Sequence, residues 1–84
     1  MHISEIIIIF VKQMRVFIFK PNCGAYCGGC IIVGANSAIE AYGVIAAKSE
    51  FLAHNTDLKH CTESTILGCN LKEPSIIVDT LYVE

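Results

Sequence analysis

The sequence predicts a small α+β domain, a two-layer sandwich with one helix packed on a four- or five-stranded antiparallel or mixed sheet. Two observations carry this. The chain holds several short runs rich in β-branched and aromatic residues, the composition of strands. Between them lies a single stretch with helical spacing of apolar residues and a capping signature at its start. The element order reads β-β-α-β-β, or has one further strand at the N-terminus. With 84 residues, 54% of them hydrophobic and 17% charged, the chain is one domain and too apolar to remain disordered.

The first run is Ile6-Ile7-Ile8-Ile9-Phe10-Val11. Residues 1–13 are either an edge strand or an upstream extension, because Met14 is an equally good start for the domain that follows. Val16-Phe17-Ile18-Phe19 is the next strand, ended by Lys20-Pro21-Asn22, since proline cannot donate to a ladder. A glycine- and cysteine-rich loop follows, and Cys30-Ile31-Ile32-Val33 is the third strand.

Ser37-Ala38-Ile39-Glu40 fits a capping box, with the serine accepting from the third helical amide and the glutamate reaching back to the cap amide. Ala38, Ile39, Ala41, Tyr42, Ile45 and Ala46 then lie on one side at helical spacing, with Ile39, Tyr42, Ile45 and Ala46 as the expected core face. Gly43 in the helix interior suggests close approach to the sheet. The helix is expected to stop between Ser49 and His54. Residues 54–64 are polar and read as loop. Thr65-Ile66-Leu67-Gly68-Cys69 and Ile76 to Val83 read as the last two strands, joined by a turn at Lys72-Glu73-Pro74-Ser75.

One helix covers one sheet face, yet Phe17 and Phe19 alternate with Val16 and Ile18, and both sets are apolar. Something must cover the second face. A large exposed apolar patch marks an interaction site. The expected role is therefore a non-catalytic interaction or self-association module, a homo-oligomer or a subunit docked on a protein partner. Phe17, Phe19 and the loop aromatic Tyr26 are the candidate contact residues.

Bulk properties argue against other classes. The net charge is −2, and Lys12, Arg15, Lys20, Lys48, Lys59 and Lys72 are scattered. No basic stripe suited to phosphates is visible, so no nucleic-acid partner is expected. The apolar run from Ile6 to Phe19 is broken by Lys12, Gln13 and Arg15, so no membrane span is expected. Five cysteines are an odd number. The N-terminus lacks a basic leader and a cleavage site, and the reading is a cytoplasmic protein with free thiols.

The chemistry-bearing pattern is Cys23-Gly24-Ala25-Tyr26-Cys27-Gly28-Gly29-Cys30. Zinc is the alternative cofactor to none. Structural zinc needs four ligands, and Cys23, Cys27 and Cys30 supply up to three, with His60, Cys61, His54 or Cys69 completing the set. Cys27-Gly28-Gly29-Cys30 is also a Cys-x-x-Cys pair capable of dithiol oxidation. It leads into a strand, so it lacks the helix N-terminus that lowers the thiol pKa in thioredoxin-like sites. The glycines precede a strand and form no phosphate loop. His54 and His60 read as solvated loop residues. Cys69 reads as core.

The spacing Cys23-x-x-x-Cys27-x-x-Cys30 is similar to that of radical S-adenosylmethionine enzymes, whose three thiolates hold three irons of a 4Fe–4S cluster. The resemblance covers these eight residues. Those enzymes are several times longer, and an aromatic residue commonly stands where this chain has Gly29. This length leaves nothing to form the cofactor pocket, and no cluster is inferred.

Overall fold

The computed structural model describes residues 14–83. The expected strand at Ile6–Val11 lies outside them. The described chain runs β1 (Met14–Phe19), a 3-10 turn (Gly24–Tyr26), β2 (Cys27–Gly28), β3 (Ile31–Ala35), α1 (Ala38–Lys48), α2 (Glu50–His54), a second 3-10 turn (Leu58–His60), β4 (Cys61–Cys69), β5 (Ser75–Asp79) and β6 (Tyr82–Val83). It is the α+β architecture expected: a four-stranded antiparallel sheet in the order β4-β1-β3-β5, one main helix packed on it, and a small β2-β6 pair.

The helix connects β3 to β4. Both strands run antiparallel to β1, which lies between them. They are therefore parallel to each other without being neighbours, so the simple crossover between adjacent strands is not formed.

The alternation of β1 decides which face meets the helix. Phe17 pairs with Val33 and Phe19 with Ile31. All four are buried in one cluster with Ala35, Ala41, Ile45 and Leu52. Phe17 and Phe19 are thus core residues, 2% and 0% exposed. This corrects their assignment as contact residues: the phenylalanines take the helix side because they fill more of the space between the layers than Val16 or Ile18 would.

The helix face also differs from expectation. Ala41 and Ile45 are its buried residues, with Ala38, Tyr42 and Val44 packed alongside. Ala38, Ala41, Tyr42 and Ile45 follow i, i+3, i+4, i+7 spacing. Ile39 is 75% exposed and Ala46 is also exposed. Small residues at 38 and 41 let the helix sit close to the large phenylalanines, and this rotates Ile39 to solvent. Gly43 faces open space, with no atom within 4 Å of a side chain placed there, so it marks no close approach to the sheet.

The cap is a variant of the expected box. The Ser37 Oγ accepts from the Glu40 amide at 3.1 Å. Glu40 reaches one residue further back than predicted, accepting from the Asn36 amide at 2.9 Å and its side-chain nitrogen at 3.0 Å. Ser49, in extended conformation, ends α1 and caps α2 through the Leu52 amide at 3.3 Å.

β4 starts at Cys61, four residues earlier than the strand read from the sequence. Residues 62–64 are polar, and β4 is an edge of the sheet among the described residues; Glu63 opposite Phe17 meets Arg15. The Arg15 guanidinium grips Glu63 with two hydrogen bonds, at 2.7 and 2.6 Å, and donates to the Asn36 carbonyl at 2.9 Å. That set ties the sheet edge to the helix N-terminus.

The second sheet face is partly covered from within the chain. A side chain at Gly34 would meet the Cys69 sulfur at 2.6 Å and Leu71 at 2.7 Å, with Ile77 at 3.6 Å. Met14 and Val16 are buried, whereas Ile77 is 46% exposed. No helix among the described residues is long and apolar enough to cross a membrane.

Candidate functional site

The cysteine loop forms the end of a two-stranded arm. Ile31 pairs with Asp79 and Ile32 with Val78. The same register continues through Cys30, whose carbonyl accepts from the Thr80 amide at 2.9 Å. The Cys30 amide in turn donates to the Thr80 hydroxyl at 3.1 Å. It resumes with Gly28 against Tyr82 and Cys27 against Val83. The ladder is interrupted at Gly29, which has φ +78° and no room for a side chain beside the Thr80 carbonyl. Only glycine takes this conformation at low cost.

Cys23 and Cys27 are joined by a disulfide. Three cysteines, Cys30, Cys61 and Cys69, are free. The expectation of free thiols is corrected for the first two. The bond also uses neither the Cys-x-x-Cys pair nor Cys30, and the reason is geometric. Cys27 pairs with Val83 and Cys30 bonds to Thr80, so the two cysteines are held three positions apart along the ladder. A disulfide bridges about 4.4–6.8 Å. The 3-10 turn instead folds Cys23 back to a Cα separation of 5.7 Å from Cys27.

Tyr26 closes the 3-10 turn and is 70% exposed. Tyr82 is 53% exposed, with its ring in the space a Gly28 side chain would fill, and Val83 is 38% exposed. Two tyrosines and a valine therefore project from one end of the arm. Tyr26 was legible in the sequence as a loop-tip aromatic. Tyr82 and Val83 were not, because they read as ordinary strand residues. The signal that finds them is a glycine in strand register opposite an aromatic, visible only once the register is known.

The loop is tied to the body on its N-terminal side. The Asn22 amide donates to the Asn55 carbonyl at 2.9 Å, and its side chain donates to the His54 carbonyl at 3.2 Å. A longer contact of 3.4 Å reaches Asp57. The other proposed ligands are engaged in contacts of their own. Asp57 caps the second 3-10 turn by accepting from the His60 amide, and its carboxylate lies 2.6 Å from His60 Nδ1. The hydrogen bond from His60 holds the Asp57 carboxyl below its usual range. His60 is thus engaged by a carboxylate.

Cys61 pairs with Phe19 at the start of β4 and packs against the core. Burial pushes its thiol pKa up, with a smaller contribution from Glu63. Cys69 donates its S–H to the Met14 carbonyl at 3.7 Å. Among the described residues, no group of three or more His, Cys, Asp or Glu side chains is placed to hold a metal ion. An open cleft of about 400 Å³ lies elsewhere, lined by Tyr42, Asp57, Leu58 and Lys59.

No protein-family model, no curated protein and no solved structure matches the chain.

Proposed function

We propose that this chain is a non-catalytic interaction module that self-associates through the aromatic end of the β2-β6 arm. The observation that carries the reading is the exposure of Tyr26, 70%, at the same end of the arm as the exposed Tyr82 and Val83. Aromatic side chains are enriched in interface cores, where a large rigid ring gives much contact area for little lost freedom. The low charge content, 17%, favours the same reading, since charge is depleted at interface cores.

Sedimentation velocity on the full chain over a wide concentration range tests it. The expected result is a concentration-dependent dimer or larger species, weakened by Tyr26→Ser or Tyr82→Ser. A monomer at every concentration sinks the reading.

One observation supports a second reading, a thiol protein. The Cys23–Cys27 disulfide joins two half-buried residues in a surface loop. Zinc binding through Cys23, Cys27 and Cys30 requires that bond to be reduced first, because thiolates are the ligands. Zinc uptake measured before and after reduction separates this reading from the first.

A further inference from the structure

We propose that the Cys23–Cys27 disulfide is a reducible latch that sets the presentation of Tyr26, so that association through Tyr26 depends on thiol redox state. This rests on the self-association reading above.

The turn it closes has little else to hold it. Gly24–Tyr26 buries no residue, and Cys23 makes no side-chain cap bond. A backbone bond from the Cys27 amide to the Gly24 carbonyl spans the turn. Gly24 has φ +68° with open space around it, and an unconstrained glycine there regains the most backbone freedom of any residue. Without the disulfide, the segment that positions Tyr26 has only the backbone bonding of a single 3-10 turn against that entropy.

Both flanks are anchored independently of the disulfide. Asn22 is held by Asn55 and His54. Cys27 and Gly28 are held by Val83 and Tyr82. Opening the bond therefore frees the turn and leaves the arm and the sheet in place.

The remaining thiols are each engaged elsewhere. Cys30 is held along the extended ladder by Thr80. Cys61 packs against the core, and Cys69 is bonded to the Met14 carbonyl.

The chemistry is ordinary thiol–disulfide exchange with an external dithiol. One thiolate of the dithiol attacks the sulfur of one cysteine, the Cys23–Cys27 bond breaks, and the other cysteine leaves as a thiolate that takes a proton. The second thiol of the reductant, as its thiolate, then attacks the mixed disulfide and releases the remaining cysteine, which is protonated in turn. Cys23 and Cys27 gain two electrons and two protons, and the dithiol becomes a cyclic disulfide.

The test titrates the full chain with dithiothreitol and reads three quantities: alkylation sites by peptide mass, amide chemical shifts, and sedimentation. Reduction is expected to expose Cys23 and Cys27 to alkylation and to move amides of residues 22–28 and their β6 neighbours, with α1 and β1 unchanged. Association should weaken about tenfold, the order expected when one interface anchor loses its position. Cys23→Ser should reproduce this without reductant, and Cys27→Ala serves if that variant does not fold. Shifts spreading into α1 and β1, or loss of cooperative melting on reduction, would make the bridge a structural staple and overturn the latch. Equal association of oxidised and reduced chains overturns the latch alone. An oxidised chain that stays monomeric overturns both the latch and the reading beneath it.

Discussion

The Tyr82 ring occupies the space that a side chain at Gly28 would fill, where β2 and β6 pair. One position along, Gly29 is closed off by the Thr80 carbonyl, which is backbone. The two glycines are adjacent, but what blocks them differs in mobility. A half-exposed tyrosine can swing to solvent, whereas a paired strand cannot.

Gly28→Ala is therefore expected to be nearly neutral, within about 0.5–1 kcal/mol, and to displace Tyr82. Gly29→Ala meets both the Thr80 backbone and a positive φ, and should cost about 2–4 kcal/mol from overpacking and left-handed strain together. Urea titration of both variants checks the order. Equal losses would contradict this account of the arm.

The exposed and buried isoleucines of α1 make a second pair. Ile45 is 0% exposed and Ile39 is 75% exposed. Ile45→Ala should destabilise by about 2–5 kcal/mol, and Ile39→Ala should stay within about 0.5 kcal/mol. Denaturant midpoints that fall equally would place the helix in a different rotation.

Gly43 lies in the interior of α1 with open space beside it. Gly43→Ala is expected to raise stability by about 0.8–1 kcal/mol through helix propensity alone. A thermal melt that moves down would mean that the position contacts something after all.

Acid should weaken the fold through two carboxylates. Hydrogen bonding from Arg15 lowers the Glu63 pKa, and hydrogen bonding from His60 lowers that of Asp57. Above the unfolded values of about 4 both states are ionised and the contribution is complete. As pH falls below those values the unfolded chain binds the proton first, so stability declines. The contribution is gone below the lowered folded pKa. Glu63→Gln should flatten the decline in a pH series of urea midpoints; an unchanged slope would remove Glu63 as a cause.

The free thiols should differ in reactivity. Burial raises the Cys61 pKa, so at neutral pH its thiolate fraction falls below that of an ordinary cysteine with a pKa of about 8.5. Timed iodoacetamide labelling of the native chain is expected to modify Cys61 more slowly than Cys30. The difference should vanish in denaturant. Faster labelling of Cys61 would contradict its packing against the core.

Composition and local pattern were enough for the strands of the main sheet and for α1, but not for α2, the early start of β4 or the β2-β6 pair. Strand runs, a capping serine and proline punctuation are local physics, and they gave the β-β-α-β-β order and the α+β class. The capping glutamate was legible too, although its partner turned out to be Asn36. What the tertiary structure decided was every choice between two locally equivalent faces. Phe17 and Phe19 went to the helix side, and Ala38 and Ala41 displaced Ile39 from the core, because the layers must fill a shared volume. The same holds for the cysteines. Spacing pointed to Cys30 as the oxidation partner of Cys27, and the structure pairs Cys27 with Cys23 instead, because the ladder holds Cys30 against Thr80 while the turn returns Cys23. Sequence fixes which residues are apolar or reactive; which of them meet depends on register and packing between segments far apart in the chain.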